Sequence, residues 1–420
     1  MRLFSLTQVK TLGRYATFSI FLLLLASACS TGANTAAPPQ NTACTALASS
    51  SASHGSGSAI LANVALPGKT FKAVATSDGQ WIFVSFNGND AATSGIAVLH
   101  EQGSQICLQH VIPLSGMPFG MTLSHDDRIL AIADYSNVAF MDVAQAERGT
   151  KGALLGYVPE HPSSSTIEVA LSPDEQDLFA ANENDGTVSV IDFQRIRAHD
   201  FSAHALIGQL PLGVAPVGMA ISPDNRFLYI TSEADKSLSS STQAAKMCGG
   251  YPQGSLSVAA IARVRQDPAH AIIARAASGC GPVRVVLSPS GTLAWVTARG
   301  NNAVLTFDTT RLITNQKNAR LASTTVGTAP VGAALIDKGS VLVVANSNRF
   351  LQPYTPQHLT VLNTKQALDH KAAVLTSINV GDFPRELTLE ANGQTLLLTN
   401  YNSQTLSIID VSKLPGAFSS

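Results

Sequence analysis

Charged side chains are scarce in this chain of 420 residues. Asp, Glu, Lys and Arg make up only 13% of it, and the formal net charge is −1, whereas an average soluble domain has roughly 25% charged residues. The order of residues contains no basic patch, which excludes the footprint of a nucleic-acid-binding protein. Aromatic residues are also few, at 6%, but 45% of the chain is hydrophobic. This composition fits many buried strands joined by polar turns.

Long apolar runs are also missing. The run "FSIFLLLLA" is too short for a permanent transmembrane helix, which needs about 20 residues. It follows Arg2, Lys10 and Arg14 and precedes "ASAC", and this order of charge, apolar run and small residues is typical of a secretory signal peptide. We therefore expect residues 1–28 to be a signal peptide.

Two kinds of processing fit the end of this signal. The segment 25–29, "LASAC", is similar to a bacterial lipobox, which implies that Cys29 is lipidated and becomes the mature N-terminus. Alternatively, Ala26-Ser27-Ala28 is an ordinary cleavage box. We favour lipidation, because residues 29–58 are rich in Ser, Ala, Gly and Pro and predict a flexible tether before a folded domain of residues 59–420. The expected location is the bacterial cell envelope, with the protein lipid-anchored in the periplasm or at the outer membrane.

A short turn signal recurs along the chain, with flanking apolar runs that predict strands. Pro, Asp, Ser, Gly and Asn at these positions supply tight-turn chemistry. The seven copies are Thr76-Ser-Asp-Gly79, Ser124-His-Asp-Asp127, Ser172-Pro-Asp-Glu175, Ser222-Pro-Asp-Asn225, Ser288-Pro-Ser-Gly291, Ile336-Asp-Lys-Gly339 and Glu390-Ala-Asn-Gly393.

Each copy contributes four strands, called a, b, c and d here, with the turn signal between a and b. Four-stranded units repeated radially predict an all-β fold, a seven-bladed β-propeller. The seventh unit lacks strand d, and "AILANVAL" at 59–66 has no unit of its own. We therefore expect this N-terminal strand to pair with the last blade and close the ring, which removes exposed edges. Strand c often ends in a residue that suits a helix N-cap: Asp142, Asp192, Asp308 and Asp410.

Two short motifs recur within the units. One is a b strand, present as Tyr229-Ile-Thr-Ser232, Trp295-Val-Thr-Ala298 and Leu397-Leu-Thr-Asn400. The other is G-x-x-P, present as Gly213-Val-Ala-Pro216, Gly327-Thr-Ala-Pro330 and Gly381-Asp-Phe-Pro384. With these motifs the repeat resembles the YVTN-type β-propeller repeat, a group that includes lactonase-like enzymes, binding proteins and surface proteins. The resemblance covers residues 59–412 and implies the fold, but fold alone does not fix function.

Cysteine is limited to five residues, and none of them belongs to a C-x-x-C or another close-spaced metal motif. No metal, haem, copper or quinone site is therefore expected, and no cofactor. Cys248 lies in a b–c insertion of unit four and Cys280 in the link to unit five. These loops emerge on one face of a propeller, so we predict a Cys248–Cys280 disulfide in an oxidising compartment. Cys44 and Cys107 remain as a pair by elimination, although Cys44 lies in the predicted tether.

The same face is where propellers tend to bind ligands, at the mouth of the central channel. The link between strand d of one unit and strand a of the next commonly contains a proline. Two residues after this proline, or after its equivalent, charged residues and glycines alternate from unit to unit: Lys72, Gly120, Glu168, Gly218, Arg284, Gly332 and Glu386. Two cations and two carboxylates around one narrow mouth form a candidate site. They can equally neutralise each other as a structural ring of ion pairs, and both interpretations stay open.

Residues at the ends of the b strands extend this candidate site. As ligand-binding candidates we add Glu183, Glu233, Arg299, Arg349 and Tyr401, with Asn87, Asn182, Asn346 and Asn400 as supporting polar groups. Two long loops on the same face, 233–254 and 346–357, suit a binding role on a rigid scaffold.

Two functions follow from these residues. The first is a monomeric, non-enzymatic envelope lipoprotein that binds a protein or a small molecule at the channel mouth and these loops. The alternative is a lactonase-like hydrolase, in which Glu168, Glu183 or Glu386 is the base and Arg284 or Lys72 stabilises the oxyanion. Catalytic residues cannot be carried over from the resembling family, because no motif matches residue by residue.

Overall fold

The structure is a computed structural model that describes residues 43–48, 58–238, 248, 253–349 and 357–417. The predicted signal peptide, Cys29 and most of the tether lie outside these residues. The described strands form seven antiparallel sheets arranged in a ring. The predicted seven-bladed all-β propeller is therefore confirmed.

Two strands precede the first blade: β1 (Ala43–Ala46) and β2 (Ile60–Ala65). Blade one contains β3 (Lys69–Ala75), β4 (Trp81–Asn87), β5 (Gly95–Gln102) and β6 (Gln105–Pro113). Blade two contains β7 (Pro118–Leu123), β8 (Ile129–Asp134), β9 (Asn137–Asp142) and β10 (Leu154–Pro159). Blade three contains β11 (Thr166–Leu171), β12 (Asp177–Asn182), β13 (Thr187–Asp192) and β14 (Leu206–Pro211). Blade four contains β15 (Val214–Ile221), β16 (Phe227–Ala234), β17 (Gln253–Ala260) and β18 (Ile272–Cys280).

Blade five contains β19 (Pro282–Leu287), β20 (Leu293–Ala298), β21 (Ala303–Asp308) and β22 (Arg320–Thr325). Blade six contains β23 (Pro330–Ile336), β24 (Val341–Asn346), β25 (His358–Asn363) and β26 (Val374–Asn379). Blade seven contains β27 (Pro384–Leu389), β28 (Thr395–Asn400) and β29 (Thr405–Asp410). Strand β2 pairs antiparallel with β29, so the N-terminal strand is the fourth strand of blade seven.

Strand β1 differs from the sequence prediction. Residues 43–46 lie inside the predicted tether, but they pair with β6 and add a fifth strand to blade one. In this register Cys44 stands opposite Cys107, and the two form a disulfide. The composition of this segment predicts no folding by itself, and its strand is explained by the backbone pairing and the covalent link to a buried partner.

The repeated turn signal forms the expected a–b turns. In blade three, Ser172 Oγ donates to Asp174 Oδ1 at 2.6 Å and accepts the backbone N–H of Asp177. The fourth residue of the turn has positive φ, as in Gly79, Glu175 and Asn225. Gly and Asn tolerate this left-handed conformation, and Glu175 adopts it as well.

Short helices follow several c strands. They are α1 (Val143–Glu147), α2 (Phe193–Arg197), α3 (Ile261–Val264), α4 (Thr309–Thr314) and α5 (Thr364–Leu368). Single 3₁₀ turns span Ala91–Thr93, Ala203–Ala205, Pro268–His270, Arg299–Asn301, Gln316–Asn318, Asp337–Gly339 and Val411–Lys413. Asp142, Asp192 and Asp308 cap α1, α2 and α4, and Asp410 caps the last 3₁₀ turn, so the predicted N-caps are confirmed.

The hydrophobic core is distributed between neighbouring blades. Phe83 and Ile96 of blade one, for example, belong to one buried cluster with Leu130, Ile132 and Met141 of blade two. Because each blade is buried by its neighbours, the ring is the stabilising unit.

Two disulfides join Cys44 to Cys107 and Cys248 to Cys280, so the predicted Cys248–Cys280 pair is confirmed. They indicate an oxidising, exported environment. Among the described residues no helix has the length and apolar character needed to cross a membrane.

Candidate functional site

Every a strand breaks its pairing register with strand b at the channel mouth. In five blades two consecutive residues are skipped, and in blades three and four one is skipped. Such β-bulges re-aim side chains that would otherwise alternate between faces. The skipped positions are Phe71 and Lys72, Phe119 and Gly120, Ile167, Val217, Val283 and Arg284, Val331 and Gly332, and Arg385 and Glu386.

Hydroxyl groups of the b strands contact the bulges of blades one, four, five and seven. Thr297 Oγ1 accepts the backbone N–H of Arg284 at 2.9 Å and donates to the carbonyl of Val331 in the next blade at 2.8 Å. Thr399 does the same for Glu386 and for the carbonyl of Phe71. Both are the threonines of the YVTN-like strands. In blades five and seven this motif therefore connects the bulge to the adjacent blade.

The four charged positions predicted from the ring do converge. Lys72 Nζ lies 2.6 Å from Glu168 Oε1, Arg284 lies 3.3 Å from Glu168 Oε2, and Arg284 also pairs with Glu386. Arg284 additionally donates to the carbonyl of Val217 at 2.7 Å. Glu168, Arg284 and Glu386 are buried. We call these four residues, Lys72, Glu168, Arg284 and Glu386, the ion-pair chain.

The alternating glycines leave room for this chain. A Cβ on Gly120 would lie within 2.8 Å of both the carboxylate and the Cα of Glu168. A Cβ on Gly218 would lie 2.2 Å from the carbonyl oxygen of Val283, and one on Gly332 would lie 2.3 Å from that of Arg385. Each glycine of an even-numbered blade therefore permits the close approach of the charged strand in the following odd-numbered blade.

A cavity of about 190 Å³ lies at the same mouth. Six apolar side chains, one from the bulge of each of the first six blades, form what we call the collar: Phe71, Phe119, Ile167, Val217, Val283 and Val331. The equivalent position of blade seven is Arg385. Polar groups complete the lining: Ser165, Glu183, Glu233, Arg284, Arg299, Arg349 and Tyr401. An apolar wall with a few convergent polar groups is the usual composition of a ligand pocket.

The carboxylates of this lining differ in their partners. Glu233 Oε2 lies 2.7 Å from Arg299. Glu183 accepts a hydrogen bond from Ser165 Oγ at 3.4 Å. Burial raises the pKa of Glu183, the charge of Glu233 raises it further, and Arg385 and Arg349 oppose the rise. The raised pKa favours the protonated form of Glu183.

Arg385 is held by aromatic rings. Its guanidinium carbon lies 3.7 Å from the centre of the Phe71 ring, 5.5 Å from that of Tyr401 and 5.6 Å from that of Phe383. Its Nε is buried without an acceptor. Burial and the neighbouring charge of Arg284 lower the pKa of Arg385 to about 10, so the side chain remains a cation at neutral pH.

A second cavity of about 520 Å³ lies among the ends of the a strands of blades four to seven. Apolar residues such as Met219, Ile221, Leu287 and Leu335 line most of it, and Lys338 is the charged residue of its described lining. It lacks the convergence of opposite charges found at the first cavity, which we call the mouth cavity.

The structure divides the predicted site residues into two groups. Six of them line the mouth cavity: Glu183, Glu233, Arg284, Arg299, Arg349 and Tyr401. The other three, Lys72, Glu168 and Glu386, form the ion-pair chain together with Arg284 and are not part of the lining. The supporting amides Asn182, Asn346 and Asn400 bond hydroxyls of the c strands, and buried Asn87 is also absent from the lining. Loops 233–254 and 346–357 fall largely on residues outside the described ranges.

Arg385 and the six residues of the collar are not among the site residues predicted from the sequence. Their signal was present, because each stands immediately before a position of the predicted charged ring. Strict strand alternation places adjacent residues on opposite faces, and the bulges break this rule.

Comparison with known proteins agrees with the fold. A family model described as "Lactonase, 7-bladed beta-propeller" matches residues 260–420. Hydrazine synthase of Kuenenia stuttgartiensis is similar in structure, with a TM-score of 0.61 over 86% of this chain and 98% of that chain, at 15% identity. At that identity the likeness shows the fold alone. No curated protein matches the sequence. The predicted resemblance to lactonase-like seven-bladed propellers is thus confirmed.

Proposed function

We propose that this protein is an exported β-propeller, anchored to a bacterial membrane by lipid on Cys29, that binds a small ligand in the mouth cavity and works as a monomer. The observation that carries this proposal is the convergence of the apolar collar with a charged rim around one cavity. The two disulfides support export, and the low charge content gives no support for nucleic acid as a partner.

The ion-pair chain favours binding over hydrolysis. Glu168 and Glu386, two of the three carboxylates considered as bases, are already paired with Lys72 and Arg284. Neither of these two carboxylates lines the mouth cavity, so neither is placed to act as a base on a ligand there. The ion-pair chain thus acts as structural support beneath the cavity.

One observation favours the alternative, a lactonase-like hydrolase. Glu183 lines the cavity, has no ion-pair partner among the described residues, and has a raised pKa, which suits a general base. Arg385 would then stabilise the oxyanion in place of Arg284 or Lys72. The family-model match over residues 260–420 agrees with this alternative but does not decide between the two.

The test is a panel of small polar molecules, lactones and esters presented to the full chain purified in detergent. Binding is followed by the shift in melting temperature, and hydrolysis is followed by product formation. Val331→Trp fills the collar, and Glu183→Gln removes the candidate base. We expect at least one compound to raise the melting temperature of the wild type and of Glu183→Gln, and no compound to do so for Val331→Trp.

Turnover that disappears in Glu183→Gln would establish the hydrolase instead. The binding proposal is overturned if the panel shifts the wild type and Val331→Trp equally, because the ligand then lies elsewhere. The matched control is Val111→Trp, because Val111 is an exposed valine on β6, outside the collar. This variant should respond to the panel like the wild type.

A further inference from the structure

We propose that the ligand of the mouth cavity is a small organic carboxylate, bound through its carboxylate group by Arg385 and through a hydrogen-bond donor by Glu183. This inference rests on the proposed binding function and gives it a chemical class. It starts from Arg385, a cation that lines the mouth cavity and pairs with none of the described carboxylates.

The other charges near Arg385 are already engaged. Arg284 is shared between Glu168 and Glu386 and also bonds a backbone carbonyl. Arg299 is paired with Glu233. Arg385 is half-buried, and a guanidinium that is partly removed from water without an anionic partner carries a desolvation cost. An anion from solution would supply the partner that the described protein groups do not.

The surroundings of Arg385 fix the kind of contact. Phe71 covers one face of the guanidinium at 3.7 Å. A guanidinium stacked in this way keeps the N–H groups at its edge available, and their fork geometry matches a carboxylate with two parallel bonds. The lining contains four arginines and two carboxylates among the described residues, so the cavity favours an anion over a cation.

The size of the cavity limits the rest of the ligand. A volume of about 190 Å³ corresponds to about six water molecules at about 30 Å³ each. The collar is apolar, and it suits a short hydrocarbon body next to the carboxylate. Glu183 provides an acceptor on the same lining, so a hydroxyl or amine on this body gains a hydrogen bond.

The experiment is titration calorimetry of the full chain in detergent with three probes of similar size: 3-hydroxybutyrate, butyrate and 3-hydroxybutyramide. The first carries both groups, the second lacks the donor, and the third lacks the negative charge. We expect 3-hydroxybutyrate to bind at least tenfold more tightly than the amide and severalfold more tightly than butyrate. Arg385→Gln should weaken it at least tenfold.

Arg226→Gln is the matched control, because Arg226 lies exposed in an a–b turn, and it should bind like the wild type. Equal affinity of the wild type for the carboxylate and the amide overturns the inference without any variant, even if Arg385→Gln fails to fold. If other compounds bind in the cavity while the three probes do not, the carboxylate class is wrong and the proposed binding function stands. If Val331→Trp binds the probes as well as the wild type does, both fail.

Discussion

Glu160 is a carboxyl group buried in the link between blades two and three. Ser189 donates to its Oε2 at 2.8 Å and Asn182 at 3.2 Å, while its Oε1 has no partner. Burial raises the pKa of Glu160 to about 7, and the two hydrogen bonds oppose the rise without cancelling it. The folded protein therefore holds this proton more tightly than the unfolded chain, in which the pKa is about 4.5.

A dependence of stability on pH follows. Because its folded pKa lies above its unfolded pKa, Glu160 contributes to the stability of the folded protein. This contribution is fully present below about pH 4.5 and is lost as the pH rises through about 7. Glu160→Gln imitates the protonated form. The variant should exceed the wild type in free energy of unfolding by up to about 3 kcal/mol at pH 8.5, and this difference should vanish toward pH 4.5.

Denaturant unfolding at several pH values measures the difference. Asn402→Gln is the control, because Asn402 is exposed and neither amide titrates, so the difference between this variant and the wild type should not change with pH. A difference between Glu160→Gln and the wild type that is the same at both ends of the range contradicts the prediction.

The charged ring shows how far residue positions can be predicted from the sequence. Counting from the link prolines located Lys72, Glu168, Arg284 and Glu386, because the repeat places equivalent residues at equivalent points of the ring. Arg385 was missed, because alternation assigns it to the other face. Its orientation depends on a bulge whose hydroxyl partners, Thr399 among them, come from a neighbouring strand and contact the next blade.

At the scale of elements, β1 illustrates a strand that its own sequence does not specify. Three of its four residues are exposed, so it buries little apolar surface. Its order derives from pairing with β6 and from the Cys44–Cys107 disulfide, which closes a separation of 63 residues. A composition-based prediction cannot register a covalent partner so far away in the chain.

Replacing both cysteines, Cys44→Ser with Cys107→Ser, should release β1 selectively. Without the crosslink, the entropy of ordering residues 43–46 is opposed mainly by a few edge hydrogen bonds. We expect amide hydrogen exchange in this segment to accelerate at least tenfold, while β2, which is packed in blade seven, remains protected. Retained protection of β1 in the double variant would show that strand pairing alone suffices.

At the scale of the whole molecule, blade seven combines β2, which precedes the first blade, with the last three strands of the ring. The number of blades was predictable because each a–b turn is a local signal, fixed by Ser, Pro, Asp and Gly within four residues. The pairing of β2 with β29 was predictable by a count of strands, since one blade lacked a strand and one strand lacked a blade.

Truncation tests the contribution of this pairing. A chain that begins at residue 58 keeps β2, and one that begins at residue 67 loses it. The shorter chain exposes an edge of β29 and the apolar residues Ile408 and Leu406, so it should aggregate and melt at least 10 °C lower, since a few kcal/mol is a large part of total stability. Size-exclusion chromatography and thermal unfolding compare the two, and equal behaviour contradicts the expectation.

The bulges at the channel mouth have a consequence for the evolution of such a protein. Turn residues and the bridging threonines maintain the frame, whereas the first bulged position is Phe, Ile, Val or Arg in different blades. Duplication of a blade therefore copies the frame and leaves the bulged residues free to diverge. Recognition can drift one position at a time, and a new specificity does not require a new fold.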